Sequence, residues 1–274
     1  MNSITFRSIL LFISIYLIAC QNKSMVHKDP IPVHDSIRLY SNILGEERRI
    51  NVWKPKTYNT EKQELTVLYM PDGGIHEDFP HIANTLEKLI ADKSISPILL
   101  VGIENTVRGR DLTGFSNTDY DKQFCPQSDG AKNFRAFIQS ELKPHIDSTY
   151  RTTSESGIIG ESLAGLFVME TFLKHPNSFD FYIAFDPSLW WNNHYLNRKA
   201  DSLLKVFPNS KKTLWFAGSS VEDISIHTRN LNQSLQQHSP TQITWKYSDE
   251  TEEKHHTIFR ATKEKAITWT LTNL

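Results

Sequence analysis

Ser162 lies in Gly160-Glu161-Ser162-Leu163-Ala164-Gly165, where an apolar run ends and an apolar run of helical spacing begins at once. That is the layout of a strand, a sharp elbow and a helix. A serine on such an elbow stands above the carboxyl edge of a sheet. Its oxygen lies near the positive end of the following helix, where developing negative charge is favoured. Small residues belong around it because the strand and helix backbones nearly touch. Gly160 takes the position two before the serine; Ala164, not a glycine, takes the position two after. A serine hydroxyl attacks only when a base removes its proton, and the base needs a third group to orient it. Downstream, the chain offers acids at Asp186, Glu222 and Asp223 and histidines at His255 and His256. Together these residue types could cleave an ester through a serine-bound acyl intermediate.

Such residues need a frame that brings them to one edge. Residues 37–40 and 49–53 read as an antiparallel strand pair joined around Gly45. Short apolar runs at 65–70, 98–101, 181–185 and 213–217 read as buried strands, and 243–247 alternates as an edge strand does. Helical spacing fills 79–90, 196–206, 225–238 and 258–272. A further helix from about 128 puts Phe134, Phe137, Ile138, Leu142 and Ile146 on one face. Between 104 and 127 the pattern predicts one long loop. Strands alternating with helices predict an α/β domain: a doubly wound, mainly parallel sheet with an antiparallel N-terminal strand pair. In such sheets ligands bind beyond the carboxyl ends of the strands. The loops richest in reactive residues (71–76, 104–127, 160–163, 186–195, 218–224 and 249–257) all fall on that edge. The chain order serine, acid, histidine is that of the α/β-hydrolase fold.

The first 19 residues carry one charge, Arg7, then a short apolar run ending Leu17-Ile18-Ala19 before Cys20. This predicts a lipoprotein signal peptide over 1–19, with lipid on Cys20. The polar, proline-containing 20–35 reads as a tether and 36–274 as the hydrolase domain. The expected location is exported and membrane-anchored, facing the periplasm or cell surface; Gln21 after the cysteine favours the outer membrane. Without Arg7 the chain has 29 basic and 31 acidic residues and no basic block, so nucleic acid is not an expected partner. Cys125 is then the one cysteine left, a packed small hydrophobe. No metal-ligand cluster, phosphate-cradling motif or dinucleotide motif is present, and no cofactor is implied.

From about Leu65 onward the chain resembles the enterochelin esterase-like hydrolases, also called the putative-esterase or esterase D-like family. The resemblance rests on LYMPDGG (68–74), VGIENTVRGRDLT (101–113), FIQSELKPHIDSTYRT (137–152), IIGESLAGLF (158–167), DPSLWWNN (186–193) and EKHHTIF (253–259). It implies Ser162 as nucleophile and, from His255-His256-Thr257-Ile258, His255 as base, with His256 a groove or surface residue. It places Glu222 first as the orienting acid, with Asp223 second and Asp186 last. It implies an oxyanion hole from the Leu163 N–H and one in the loop after 65–70, with Gly74 preferred and Gly73 the alternative. Arg108, Trp190 and Trp191 are expected to line the substrate cleft, and Arg110 with Asp111 to brace the long loop. The implied substrates are small-molecule esters: tri-lactone siderophores or ester-linked groups on sugars. An acyltransferase on the same scaffold and a non-catalytic surface binding lipoprotein are the alternatives.

Overall fold

The computed structural model describes residues 29–274. The expected signal peptide, Cys20 and most of the tether lie outside the described residues. Eight strands form one sheet: β1 (Asp35–Ser41), β2 (Glu46–Trp53), β3 (Leu65–Pro71), β4 (Ile98–Ile103), β5 (Thr152–Glu161), β6 (Phe181–Phe185), β7 (Lys212–Gly218) and β8 (Ile243–Asp249). Their spatial order is β1-β2-β4-β3-β5-β6-β7-β8. β1 and β2 are antiparallel, β2 is antiparallel to β4, and every pair from β4 to β8 is parallel. The expected class and the antiparallel N-terminal pair are what the chain forms.

Nine helices among the described residues cover the sheet: α1 (Phe79–Ala91), α2 (Arg108–Leu112), α3 (Asp119–Phe124), α4 (Ala131–Phe137), α5 (Lys143–Thr149), α6 (Leu163–Lys174), α7 (Trp191–Lys205), α8 (Glu222–His238) and α9 (Ile258–Leu271). One face carries α1 and α9, where Phe79, Ile82, Leu86 and Ile267 pack on Phe185 and Trp215. The other face buries Phe134, Phe137, Phe167, Phe172, Leu231 and Leu235. All five residues of the predicted apolar face from Phe134 to Ile146 are buried. Their helix is interrupted, however, by a wider turn at Ile138–Leu142 that joins α4 to α5. Pro144, in the first turn of α5, has no N–H for a helical bond, so the ladder re-forms there with a different period.

The predicted 104–127 loop contains α2 and α3. Helices this short show no apolar period, so sequence patterning does not reveal them. Arg48 and Asp111, both fully buried, form an ion pair at 2.5 Å beneath this segment. Arg110 joins it through Asp111 at 2.7 Å and Glu46 at 2.7 Å. Arg110 and Asp111 thus brace the segment, as expected.

Two features set the edge that matters. The strand order reverses between β3 and β5, because β3 leads to β4 on one side and the chain then returns to place β5 on the other. That reversal opens a crevice beyond the carboxyl ends of the strands. At the tip of β5, a Cβ on Gly160 would lie 2.7 Å from the Ala164 backbone, so only glycine lets β5 and α6 approach this closely.

Candidate active site

Ser162 sits between β5 and α6 with φ 59 and ψ −118, a conformation that an L-residue adopts only under constraint. The constraint is visible. Its N–H donates to Phe185 O at 3.0 Å, and its own carbonyl accepts from Ser188 N at 3.1 Å and Leu166 N at 2.8 Å. The elbow is therefore pinned to β6 and its following loop. Its Oγ lies 3.2 Å from His255 Nε2 and 3.5 Å from Ser188 Oγ.

His255 comes from the loop between β8 and α9. Its Nδ1 is 2.7 Å from Asp186 Oδ2. A carboxylate only accepts, so Nδ1 carries the proton and Nε2 is left to accept from the Ser162 hydroxyl. Asp186 follows β6 with φ 43 and is fully buried. Its carboxylate also accepts from Ser219 N at 2.7 Å and Ser219 Oγ at 2.8 Å, and its own N–H donates to Ala217 O at 2.9 Å. Ser162, His255 and Asp186 form one hydrogen-bonded line, from a half-exposed hydroxyl to a buried anion. That line can withdraw a proton from Ser162 and stabilise the imidazolium that results.

This corrects the expected order of acids. Glu222 and Asp223 occupy the first turn of α8 and are solvent-exposed, with no bond to His255. They favour the positive end of that helix. His256 is exposed beside the site.

The expected oxyanion donors also need correction. Leu163 opens α6, so its N–H has no intrahelical acceptor and is available to the cleft it lines. The Gly74 N–H donates instead to Glu77 Oε2 at 2.6 Å, and the Gly73 N–H to Ile103 O at 2.9 Å. Gly73 lets β3 and β4 nearly touch: a Cβ there would fall 2.2 Å from Ile103 N. Sequence shows a flexible Asp-Gly-Gly turn but not that Glu77 folds back to cap it. Burial pushes the Glu77 carboxyl up, against the hydrogen bonds from Gly74 and Asn105.

Arg108 lines the cleft with Ser162, Leu163, Ser188, Trp190 and His255. Asp72 fixes it through two bonds, 2.6 Å from Nε and 2.7 Å from Nη2, a fork-to-carboxylate pairing that leaves one orientation. Asn105, which sequence reasoning missed, donates to Asp72 at 2.5 Å and to Glu77 at 2.9 Å. Trp190 lines the cleft as expected. Trp191 does not: it is buried, and its Nε1 donates to Gly114 O at 3.1 Å, anchoring the 104–127 segment. The chain turns between the two rings, so neighbours in sequence serve different walls. Cys125 is buried and free. Among the described residues no group of three His, Cys, Asp or Glu could hold a metal ion.

Glu161 precedes the serine. Burial, then the charges of Asp78, Asp186 and Asp72, push its carboxyl up to about 8, with Arg108 opposing. Its Oε1 is buried with no hydrogen-bond partner among the described residues. The folded chain therefore holds this proton from the ordinary value of 4.5 to about 8, where the unfolded chain has lost it. Native protein binds more protons in that window, so stability falls as pH rises through it. Glu161→Gln should remove that fall. Melting temperatures from pH 5 to pH 9 should show the variant gaining on wild type as pH rises; a gap independent of pH would show that Glu161 is ionised throughout.

The comparisons with known proteins agree on a family. Residues 41–268 match the family model described as putative esterase. The ferri-bacillibactin esterase of Bacillus subtilis is 38% identical over 82 residues, 30% of this chain and 28% of that protein. The siderophore triacetylfusarinine C esterase of Aspergillus fumigatus is 33% identical over 85 residues, again 30% and 28%. The alignments thus span under a third of these curated relatives. A solved IroE-like serine hydrolase from Shewanella oneidensis superposes with a TM-score of 0.78 at 25% identity, covering 88% of this chain and 81% of that one.

Proposed function

The chain belongs to the putative esterase family, and from that premise we propose that it is a serine carboxylic-ester hydrolase acting on siderophore esters. The observation that carries the reading is the continuous line from Ser162 Oγ through His255 to buried Asp186. Ser162 Oγ attacks the ester carbonyl as His255 Nε2 takes its proton. Asp186 holds the imidazole in orientation and stabilises its positive charge. The Leu163 N–H faces the tetrahedral oxygen. His255 then gives its proton to the departing alcohol, leaving an acyl group on Ser162. A water, deprotonated by His255, releases the acid and restores the serine.

Arg108, its charge balanced by Asp72, is held so that its guanidinium edge borders the cleft and can donate to an oxygen of the substrate. The names of the relatives support the substrate class: two of them are named as siderophore esterases. The short apolar leader and Cys20 support attachment to a membrane through lipid.

The test is activity-based labelling of purified protein with a fluorophosphonate, followed by a hydrolysis panel of a siderophore triester, acetylated and feruloylated sugars and short acyl esters. Labelling at Ser162 with fastest turnover of the triester is expected. Folded protein that takes no label would overturn the enzyme reading; a preference for a sugar ester would overturn the substrate.

A further inference from the structure

A separate pocket of about 230 Å³ lies between α6, α7 and the 104–127 segment. It shares no lining residue with the Ser162 cleft. Leu166 and Leu196 line it as buried apolar groups, and Phe115, Trp191 and Tyr195 bring aromatic rings to it. Phe115 is 63% exposed. A ring left that open beside a concave, partly apolar site is free to cover a ligand.

The surrounding backbone holds the pocket in shape. The Trp191 Nε1 bond to Gly114 O ties the start of α7 to the 104–127 segment. Directly after it, Asn192, Asn193 and His194 take φ of 49, 50 and 58 in succession. L-residues disfavour such backbone, asparagine least. Strain of this kind persists where neighbours over-determine it, and it concentrates at ligand sites. Here it turns the chain so that Asn192 lines this pocket while Asn193 and His194 line another.

The polar groups of the pocket are only partly used. Glu170, 8% exposed, accepts from Lys174 Nζ at 2.8 Å through Oε1, and Arg135 stands 3.8 Å from the same oxygen. Among the described residues Oε2 accepts no hydrogen bond. It faces Gly114, where a Cβ would lie 3.3 Å away. The Asn192 amide and the Tyr195 hydroxyl also line the pocket, and among the described residues neither makes a hydrogen bond. A buried carboxylate with a free oxygen calls for a donor. The charges limit which donor. Arg135 and Lys174 already outnumber Glu170, so a cation would be repelled, and an anion would be set against Oε2. What fits is uncharged and carries O–H groups. The aromatic rings require an apolar face as well. The volume is below the ~300–1,000 Å³ of pockets that hold larger ligands, so it admits one ring. A pyranose answers each demand: C–H groups on its faces, and hydroxyls around its rim that donate and accept.

We propose that this pocket binds a single uncharged sugar ring, hydrogen-bonded to Glu170, Asn192 and Tyr195 and covered by Phe115. The site lies apart from the ester chemistry and does not rest on it. The test is saturation-transfer NMR, with titration, of the full chain against the methyl glycosides of glucose, galactose, mannose and N-acetylglucosamine. At least one should bind in the millimolar range. Gly114→Ala crowds Glu170 Oε2 without removing any group. It should weaken that binding about 10- to 100-fold, the loss expected for one hydrogen bond to a charged group. Phe115→Ala changes a side chain that is mostly in solvent, so it keeps the test open should Gly114→Ala fail to fold. It should weaken binding about 10-fold. No binding of any of the four glycosides, or binding unchanged in Phe115→Ala, would overturn the site. Methyl glycosides carry no ester, so either result stands whether or not Ser162 hydrolyses anything.

Discussion

Ser162→Ala should abolish ester turnover and leave the melting temperature where it was. The substitution removes one oxygen from an elbow tip that is not in the core, so stability should change by no more than ~0.5 kcal/mol. The strained backbone is unaffected, since alanine meets the same restrictions as serine at φ 59. Chemically, the loss removes the only atom that can carry the acyl group. Knocking out the nucleophile of a well-studied serine hydrolase lowers kcat by roughly 10⁶, and ~10³–10⁴-fold catalysis over water survives from the oxyanion hole and binding. A similar loss is expected here in steady-state assays of the preferred ester. Turnover near wild type, in protein that melts like wild type, would remove Ser162 from the chemistry.

Asp186→Asn should be nearly as damaging, with kcat lowered by about 10⁴. The amide is close in size to the carboxylate, so the packing is kept. Its NH₂, however, can donate to His255 Nδ1 and so favour the tautomer with the proton on Nε2, which cannot accept from Ser162. The imidazolium would also lose its counter-charge. Glu222→Ala, on the exposed first turn of α8, should leave kcat near wild type, and Asp223→Ala should lose far less than Asp186→Asn. Rates of the three variants on one ester decide the matter. A Glu222→Ala loss matching that of Asp186→Asn would return the orienting role to α8.

The difference between these acids shows where sequence reading stops. Strands at 65–70, 98–101, 181–185 and 213–217 were legible because both faces of each are covered, which makes continuous apolar runs. Ser162 was legible because Gly160 and Ala164 must be small for β5 to meet α6. Asp186 was visible only as a strand-ending acid. Its role depends on the His255 loop crossing above β6 and on Ser219 arriving from β7, two relations distant in sequence. The Gly74 N–H was misread for the same reason: Glu77 reaches back to it through space. The Phe115 pocket hid in the 104–127 segment, where α2 and α3 are too short to show a period. Asn192-Asn193 was an available signal, since asparagine tolerates left-handed backbone better than most residues.

The start of the described chain lies against the helices of one face. Asp29 pairs with Arg260 at 2.6 Å, Asn84 donates to Pro30 O at 2.8 Å, and His34 meets Phe79 edge-on. Arg260 stands in the first turn of α9, five residues after His255, so Asp29 is held on the same rim as the cleft. Nine peptide steps separate it from Cys20, and at ~3.3–3.6 Å per residue they reach about 30 Å at full stretch. A domain of this size is roughly 45 Å across. An anchor at Cys20 would therefore act as a leash shorter than the body it holds. The domain could swing, but its cleft would stay within the hemisphere nearest the surface.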